Sequence, residues 1–177
     1  MTASARFSTG AGRVFSTGAD LTGRGSARKD AHTPLGMRIS TFGFSRMVNA
    51  IWALEKPVVC AVNGAAAGAG CNLVLSCDLV MAADTAKFIQ VFVRRRLIPD
   101  GGGTCFLPRL VGLLRAKQLM MLGEDLPASR ALEWGLIYDI VAADKLMDEA
   151  MKTAQRLACG PTRAIGMTKS MLKMREL

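Results

Sequence analysis

Apolar positions fall into two kinds of run along this chain. Val58 to Val62 is a β-branched run with the pattern of a buried strand, and Leu79 to Ala83 and Leu136 to Val141 read as further short strands. Phe44, Met47, Val48, Ile51 and Leu54 instead recur at helical spacing, and Pro57 marks the limit of that helix. Residues 104–122, TCFLPRLVGLLRAKQLMML, form an apolar helical region bent near Pro108 and Gly112. Pro127 to Trp134 reads as a short helix with proline at its start. Asp144 to Ala158 and Pro161 to Met174 read as amphipathic helices with Gly160 as the stop between them. Arg13 to Leu21 has the look of a strand end running into a turn, and Thr22 to Gly36 that of an exposed, mobile loop. Strands alternating with helices predict an α/β protein, with a core over 1–142 and a helical segment over 143–177.

The most informative break follows the first buried run. Asn63-Gly64-Ala65-Ala66-Ala67-Gly68-Ala69-Gly70 has almost no side chain, and Cys71 to Cys77 then resumes a helix-compatible pattern. A strand that dissolves into small residues and starts a helix brings unpaired backbone N–H groups close to a neighbour. A developing negative charge on a ligand suits that place. Two plainer readings compete. The 21 uncharged residues from Pro57 to Cys77 are long enough to raise a transmembrane span, but Pro57, Asn63, Asn72 and three glycines argue against one. The small residues could also serve packing alone, since neither GxGxxG spacing nor a P-loop lysine is present.

Charge adds a direction. The net +9 is uneven: residues 1–56 carry +5, residues 87–117 carry +6, and the stretch between them is slightly acidic. Two basic zones around an apolar centre fit an anionic ligand with an uncharged reactive end, such as a phosphorylated carrier or nucleic acid. No aromatic stacking platform accompanies Arg94-Arg95-Arg96, so nucleic acid is not expected; a solvated edge, phosphate attraction or subunit contact remain open for them. The five cysteines (60, 71, 77, 105 and 159) lack CxxC spacing and mostly sit in apolar surroundings, as reduced buried thiols of a cytoplasmic protein would. His32 is the sole histidine, which leaves no histidine-centred metal site and no metal is expected. Met1 to Ala19 has two arginines and no acid, as transit peptides do, but its second half reads as part of the fold.

Four pieces in order, GRVFSTGADL at 12–21, KPVVCAVNGAAAGAGCNL at 56–73, IPDGGGT at 98–104 and PASRALEWGLI at 127–137, resemble the crotonase (enoyl-CoA hydratase/isomerase) superfamily. The resemblance spans roughly residues 10–172 and is nearest in motif to the phenylacetate-pathway enoyl-CoA isomerase branch. It implies a spiral of ββα units followed by C-terminal helices. It also implies an acyl-CoA substrate, no cofactor beyond the CoA the substrate carries, and a homotrimer or hexamer. By motif, the backbone N–H groups of Ala19 and Ala69 form an oxyanion hole for the thioester oxygen. Asp20, Leu21, Thr22, Gly68 and Gly70 fall beside them as substrate contacts.

The resemblance also narrows the reaction. Hydratases of the family use two glutamates, and their positions here hold Asn72 and Phe92. Asp100 is the sole acid between Lys87 and Lys117. An aspartate in a similar turn is the acid/base of the isomerase branch, so allylic isomerisation is expected, with Asp100 moving the proton. Asp100 could instead cap the following helix. A hydratase of altered mechanism and a noncatalytic CoA-binding or scaffold protein are the competing functions. Set against the family, the first strands and helix are expected to be absent before Gly10, with Ala5 to Thr9 a poor match to an apolar strand. The closing helices are expected to be absent after Leu177.

Overall fold

The computed structural model describes residues 5–19 and 34–174. Strands β1 (Arg6–Thr9), β3 (Val58–Val62), β5 (Leu79–Ala83) and β8 (Asp139–Val141) form one parallel sheet in that order. Strands β2 (Val14–Ser16), β4 (Ala65–Ala67), β6 (Lys87–Ile89) and β7 (Asp125–Pro127) form a second, parallel except where β7 returns antiparallel on β6. Strands β1 to β6 therefore alternate between the two sheets, and a helix follows each of the first two pairs: α1 (Pro34–Ala53) after β2, α2 (Ala69–Leu75) after β4. After β6 come a 3-10 turn over Val91–Arg95 and two helices, α3 (Gly103–Val111) and α4 (Leu113–Leu122). The result is the expected α/β spiral. Helices α5 (Ala128–Glu133), α6 (Leu146–Cys159) and α7 (Thr162–Met174) complete the described chain.

All five residues of β3 are buried. That is why the run reads as continuous rather than alternating: it lies between β1 and β5, with α6 packed against it. Trp52 on α1 stacks on Phe106 of α3 with ring centroids 4.8 Å apart, joining those helices over the core. Pro108 is accommodated inside α3, and the backbone breaks at Gly112, whose φ of 81° only glycine adopts freely. The bend read from the sequence is this break.

The structure corrects four expectations. Arg6–Thr9 is a strand, paired in register with Val58 to Ala61, although it lacks an apolar pattern. As an edge strand it is only partly covered, so polar residues survive there. The loop expected over Thr22 to Gly36 ends sooner, because Pro34 to Gly36 already belong to α1; its remainder, with His32, lies outside the described residues. Proline suits a first helical position, where the missing N–H is not needed. The small-residue stretch is no plain turn, because Ala65–Ala67 form β4 between Val14–Ser16 and Lys87–Ile89. Finally, Cys60 and Cys71 are buried, but Cys105 and Cys159 are exposed on helix faces.

Candidate active site

The chain reverses sharply between β4 and α2. Gly68 stands at the reversal with φ 54° and ψ −123°, a conformation that side chains strain against, and its N–H is held by the Ile89 carbonyl at 2.9 Å. Ala69 is the first helical residue, so helix geometry gives its N–H no partner four residues back. The end of β2 is pressed against this point. A Cβ built on Gly18 would stand 3.5 Å from the Ala69 nitrogen, and one on Gly70 would overlap Ser16. Ser16 Oγ accepts the Gly18 N–H at 3.2 Å, which folds the 16–18 segment back over α2 and leaves Ala19 exposed beside it. The structure thus brings Gly18, the residue before Ala19, to Gly68, Ala69 and Gly70. Asp20, Leu21 and Thr22 lie outside the described residues.

One turn further along α2, Asn72 is fully buried. Its Nδ2 donates to the backbone carbonyl of Asp100 at 2.7 Å, and its Oδ1 accepts from Gln90 Nε2 at 2.9 Å. The short helix that presents Ala69 therefore also holds the turn carrying Asp100. That turn is tight on every side. Gly101 has φ 52° and lies against Phe44, Gly102 has φ 78° and lies against Phe106, and a Cβ on Gly103 would sit 2.5 Å from Asn72 Oδ1. The run of three glycines is what lets α1, α2 and α3 converge on it.

Asp100 does not cap α3. The N-cap of that helix is Gly102, and no side chain bonds its first N–H groups. The Asp100 carboxyl instead keeps one oxygen, Oδ1, buried with no hydrogen-bond partner among the described residues. Burial raises its pKa above the usual 3.8, opposed by its own backbone N–H and by the nearby Asn72 amide. A half-buried carboxyl with an unpartnered oxygen and a raised pKa is suited to exchanging a proton with a bound molecule near neutral pH.

Phe92 is buried, with its ring edge 3.8 Å from where a Gly68 Cβ would be, and so walls the site with carbon. Gln90 carried only a faint signal, a lone amide in the apolar run KFIQVFV, and it was the structure that brought it to Asn72. Of the arginine run, Arg94 donates to Asp125 at 2.7 Å, while Arg95 and Arg96 are exposed. Among the described residues, no cluster of three His, Cys, Asp or Glu side chains could hold a metal, and no helix is long and apolar enough to cross a membrane. A separate hollow of about 180 Å³, lined by Cys77, Asp78, Leu110 and Tyr138 among others, opens at the far end of α2 and contains none of the site residues.

Residues 7–176 match the family model described as enoyl-CoA hydratase/isomerase. The chain is 44% identical over 168 residues to the 1,2-epoxyphenylacetyl-CoA isomerase of Escherichia coli (strain K12), covering 95% of this chain and 64% of that protein. It is 40% identical to a probable enoyl-CoA hydratase of Rhodobacter capsulatus, covering 91% of this chain and 61% of that one. Among solved structures, an enoyl-CoA hydratase from Mycobacterium avium subsp. paratuberculosis K-10 superposes with a TM-score of 0.86 at 37% identity, covering 96% of this chain and 65% of that one. The chain thus spans a little under two thirds of the length of these relatives. A family match over nearly all its residues and two mainly parallel sheets agree: this chain belongs to the enoyl-CoA hydratase/isomerase family.

Proposed function

We propose that the chain catalyses allylic double-bond isomerisation of an acyl-CoA thioester. The Asp100 carboxylate takes a proton from the α-carbon. The thioester oxygen becomes an enolate oxygen and is held by the backbone N–H groups of Ala19 and Ala69. The same carboxyl then returns the proton at the γ-carbon, and the double bond moves into conjugation. One proton travels and no water is consumed. Each preorganised donor aimed at the oxyanion is worth about 3 kcal/mol of barrier, and a positioned acid/base about 10²–10⁴-fold in rate.

One observation carries this reading: the Asp100 carboxyl is half-buried, unpartnered at Oδ1, and held by the helix whose first N–H is that of Ala69. Asn72 and Phe92, at the hydratase glutamate positions, offer no carboxylate to activate water. The isomerase named among the relatives supports the same direction. A hydratase of altered mechanism is the second reading, favoured by the hydratases among the relatives. The test is α-proton exchange in deuterated water together with conversion of 3-enoyl-CoA to 2-enoyl-CoA esters. Both should occur with the wild type and be abolished by Asp100→Asn; unchanged exchange in that variant would sink the reading, and water addition to crotonyl-CoA would favour the second. The substrate's own CoA is the only cofactor in this scheme. The assembly proposed is a homotrimer or hexamer, with Leu113, Leu114 and Leu122 exposed on α4 as apolar surface available for contact. The compartment proposed is the cytoplasm, consistent with five free cysteines.

A further inference from the structure

Three polar groups are stacked beneath the Asp100 turn, and their orientations are forced. The Asp100 carbonyl can only accept, so the Asn72 amide must present Nδ2 to it, at 2.7 Å. Asn72 Oδ1 then faces Gln90, which must donate through Nε2, at 2.9 Å. Gln90 Nε2 also lies 3.5 Å from Cys71 Sγ. With its nitrogen so used, Gln90 leaves Oε1 buried and without a hydrogen-bond partner among the described residues, in a side chain only 2% exposed. An apolar side chain in place of Gln90 would remove this orphan acceptor but strand Asn72 Oδ1 instead, so what Gln90 contributes is its bond to Asn72.

We infer that Gln90 is a positioning residue: by partnering Asn72 Oδ1 it steadies the amide that holds the Asp100 turn against α2, and so sets where the Asp100 carboxyl stands. The inference rests on the reading of Asp100 as the acid/base. Asn72 is confined from its other side as well, since Gly103 leaves no room for even a methyl group against its carboxamide. Without the Gln90 donor, Asn72 Oδ1 is buried with no partner and the amide is held from the Asp100 side alone, which leaves it free to shift. The turn then moves away, and the Asn72 N–H that favours the charged form of the carboxyl moves with it. Misplacement by about 1 Å costs on the order of 10²-fold in rate, so partial loosening should cost about 10-fold.

The test uses the full chain with 13C-labelled aspartate, the Asp100 carboxyl signal being assigned by its loss in Asp100→Asn. Three variants are compared with wild type: Gln90→Leu, Asn72→Ala and the double variant, with Gln90→Met standing in should Gln90→Leu fail to fold. Gln90→Leu is expected to lower the melting temperature modestly, shift the Asp100 titration upward, and lower kcat about 10-fold with KM little changed. In the Asn72→Ala background the same substitution is expected to shift the titration no further. An Asp100 titration identical in wild type and Gln90→Leu would overturn the inference, as would an equal shift in both backgrounds. Wild-type turnover with an unresponsive titration sinks the relay alone. A titration that responds to Gln90 in a chain that turns over no substrate upholds the relay and sinks the acid/base role.

Discussion

Lys169 Nζ on α7 lies 2.5 Å from Asp78 Oδ2 in the turn before β5, tying the last described helix to the start of the sheet. The same oxygen accepts the Val58 N–H at 2.8 Å, and Lys169 also donates to the Lys56 carbonyl at 3.2 Å. The ion pair is unevenly buried, with Lys169 7% exposed and Asp78 23%. Removing one partner of a buried pair strands the other, so the more deeply buried charge governs the loss. Asp78→Ala is therefore expected to cost about 3 kcal/mol and Lys169→Met less, both read from urea unfolding. Equal losses would show that the depth at which the stranded charge is buried does not set the cost.

The approach of β2 to α2 is equally specific. A Cβ on Gly70 would overlap Ser16 Cβ and stand 3.0 Å from the Ser16 carbonyl oxygen, leaving the strand end to give way. Gly70→Ala should cost about 1–3 kcal/mol in stability through overpacking. It should also lower kcat by about 10²–10³, because the strand end leads into Ala19. Gly43, exposed in α1 with open space around its Cα, is the control: Gly43→Ala should stabilise by about 0.5–1 kcal/mol and leave turnover unchanged. A Gly70→Ala protein of full activity would show that the two N–H groups need not face one another.

Much of this architecture could be read in the residues before any coordinates. β3, β5, α6 and α7 were legible because burial on both faces, or on one helical stripe, leaves a periodic record. β1 and β4 were not. The first is a polar edge strand, and the second is three alanines whose pairing depends on long-range neighbours. At the site, the small residues 63–70 and the Asp100 turn announced themselves by composition. The bond from Asn72 to the Asp100 carbonyl, 28 residues away, did not, because a buried asparagine carries no mark of its partner. Nor could the residues alone show whether Asp100 caps the following helix; that needed the position of the α3 N-cap at Gly102.

The raised pKa of Asp100 has a consequence for stability. A carboxyl that binds its proton more tightly in the folded chain than in the unfolded one favours folding most below the ordinary value of 3.8. That contribution is lost as pH rises through the folded value, so at neutral pH the buried carboxylate weakens the fold. Asp100→Asn keeps the shape and removes the charge. Its melting temperature should exceed that of wild type at pH 7, and the gap should narrow as pH falls through the folded value towards 3.8. Thermal unfolding of both proteins across pH is the measurement; a gap independent of pH would place the raised pKa in doubt. Activity should move the opposite way, so the substitution would trade function for stability.

By the motif resemblance, Asn72 and Phe92 fall where the family's hydratases carry glutamate, and restoring one of them is informative. Asn72 is fully buried, with its nitrogen facing the Asp100 carbonyl oxygen and its oxygen facing Gln90. In Asn72→Glu a carboxylate would meet that carbonyl with no hydrogen to share, and an unpaired charge would be buried. The loss should be about 3 kcal/mol or more, seen as a lower urea midpoint. Isomerisation should fall at least 10-fold, since the Asp100 turn is pushed from α2. Hydration of crotonyl-CoA should not appear, because Phe92 still offers only carbon to the second side of a water molecule. If Asn72→Glu were as stable as wild type and added water to crotonyl-CoA, the α2 pocket would have to be open to solvent. The case for Asp100 acting on a proton without water would then fail.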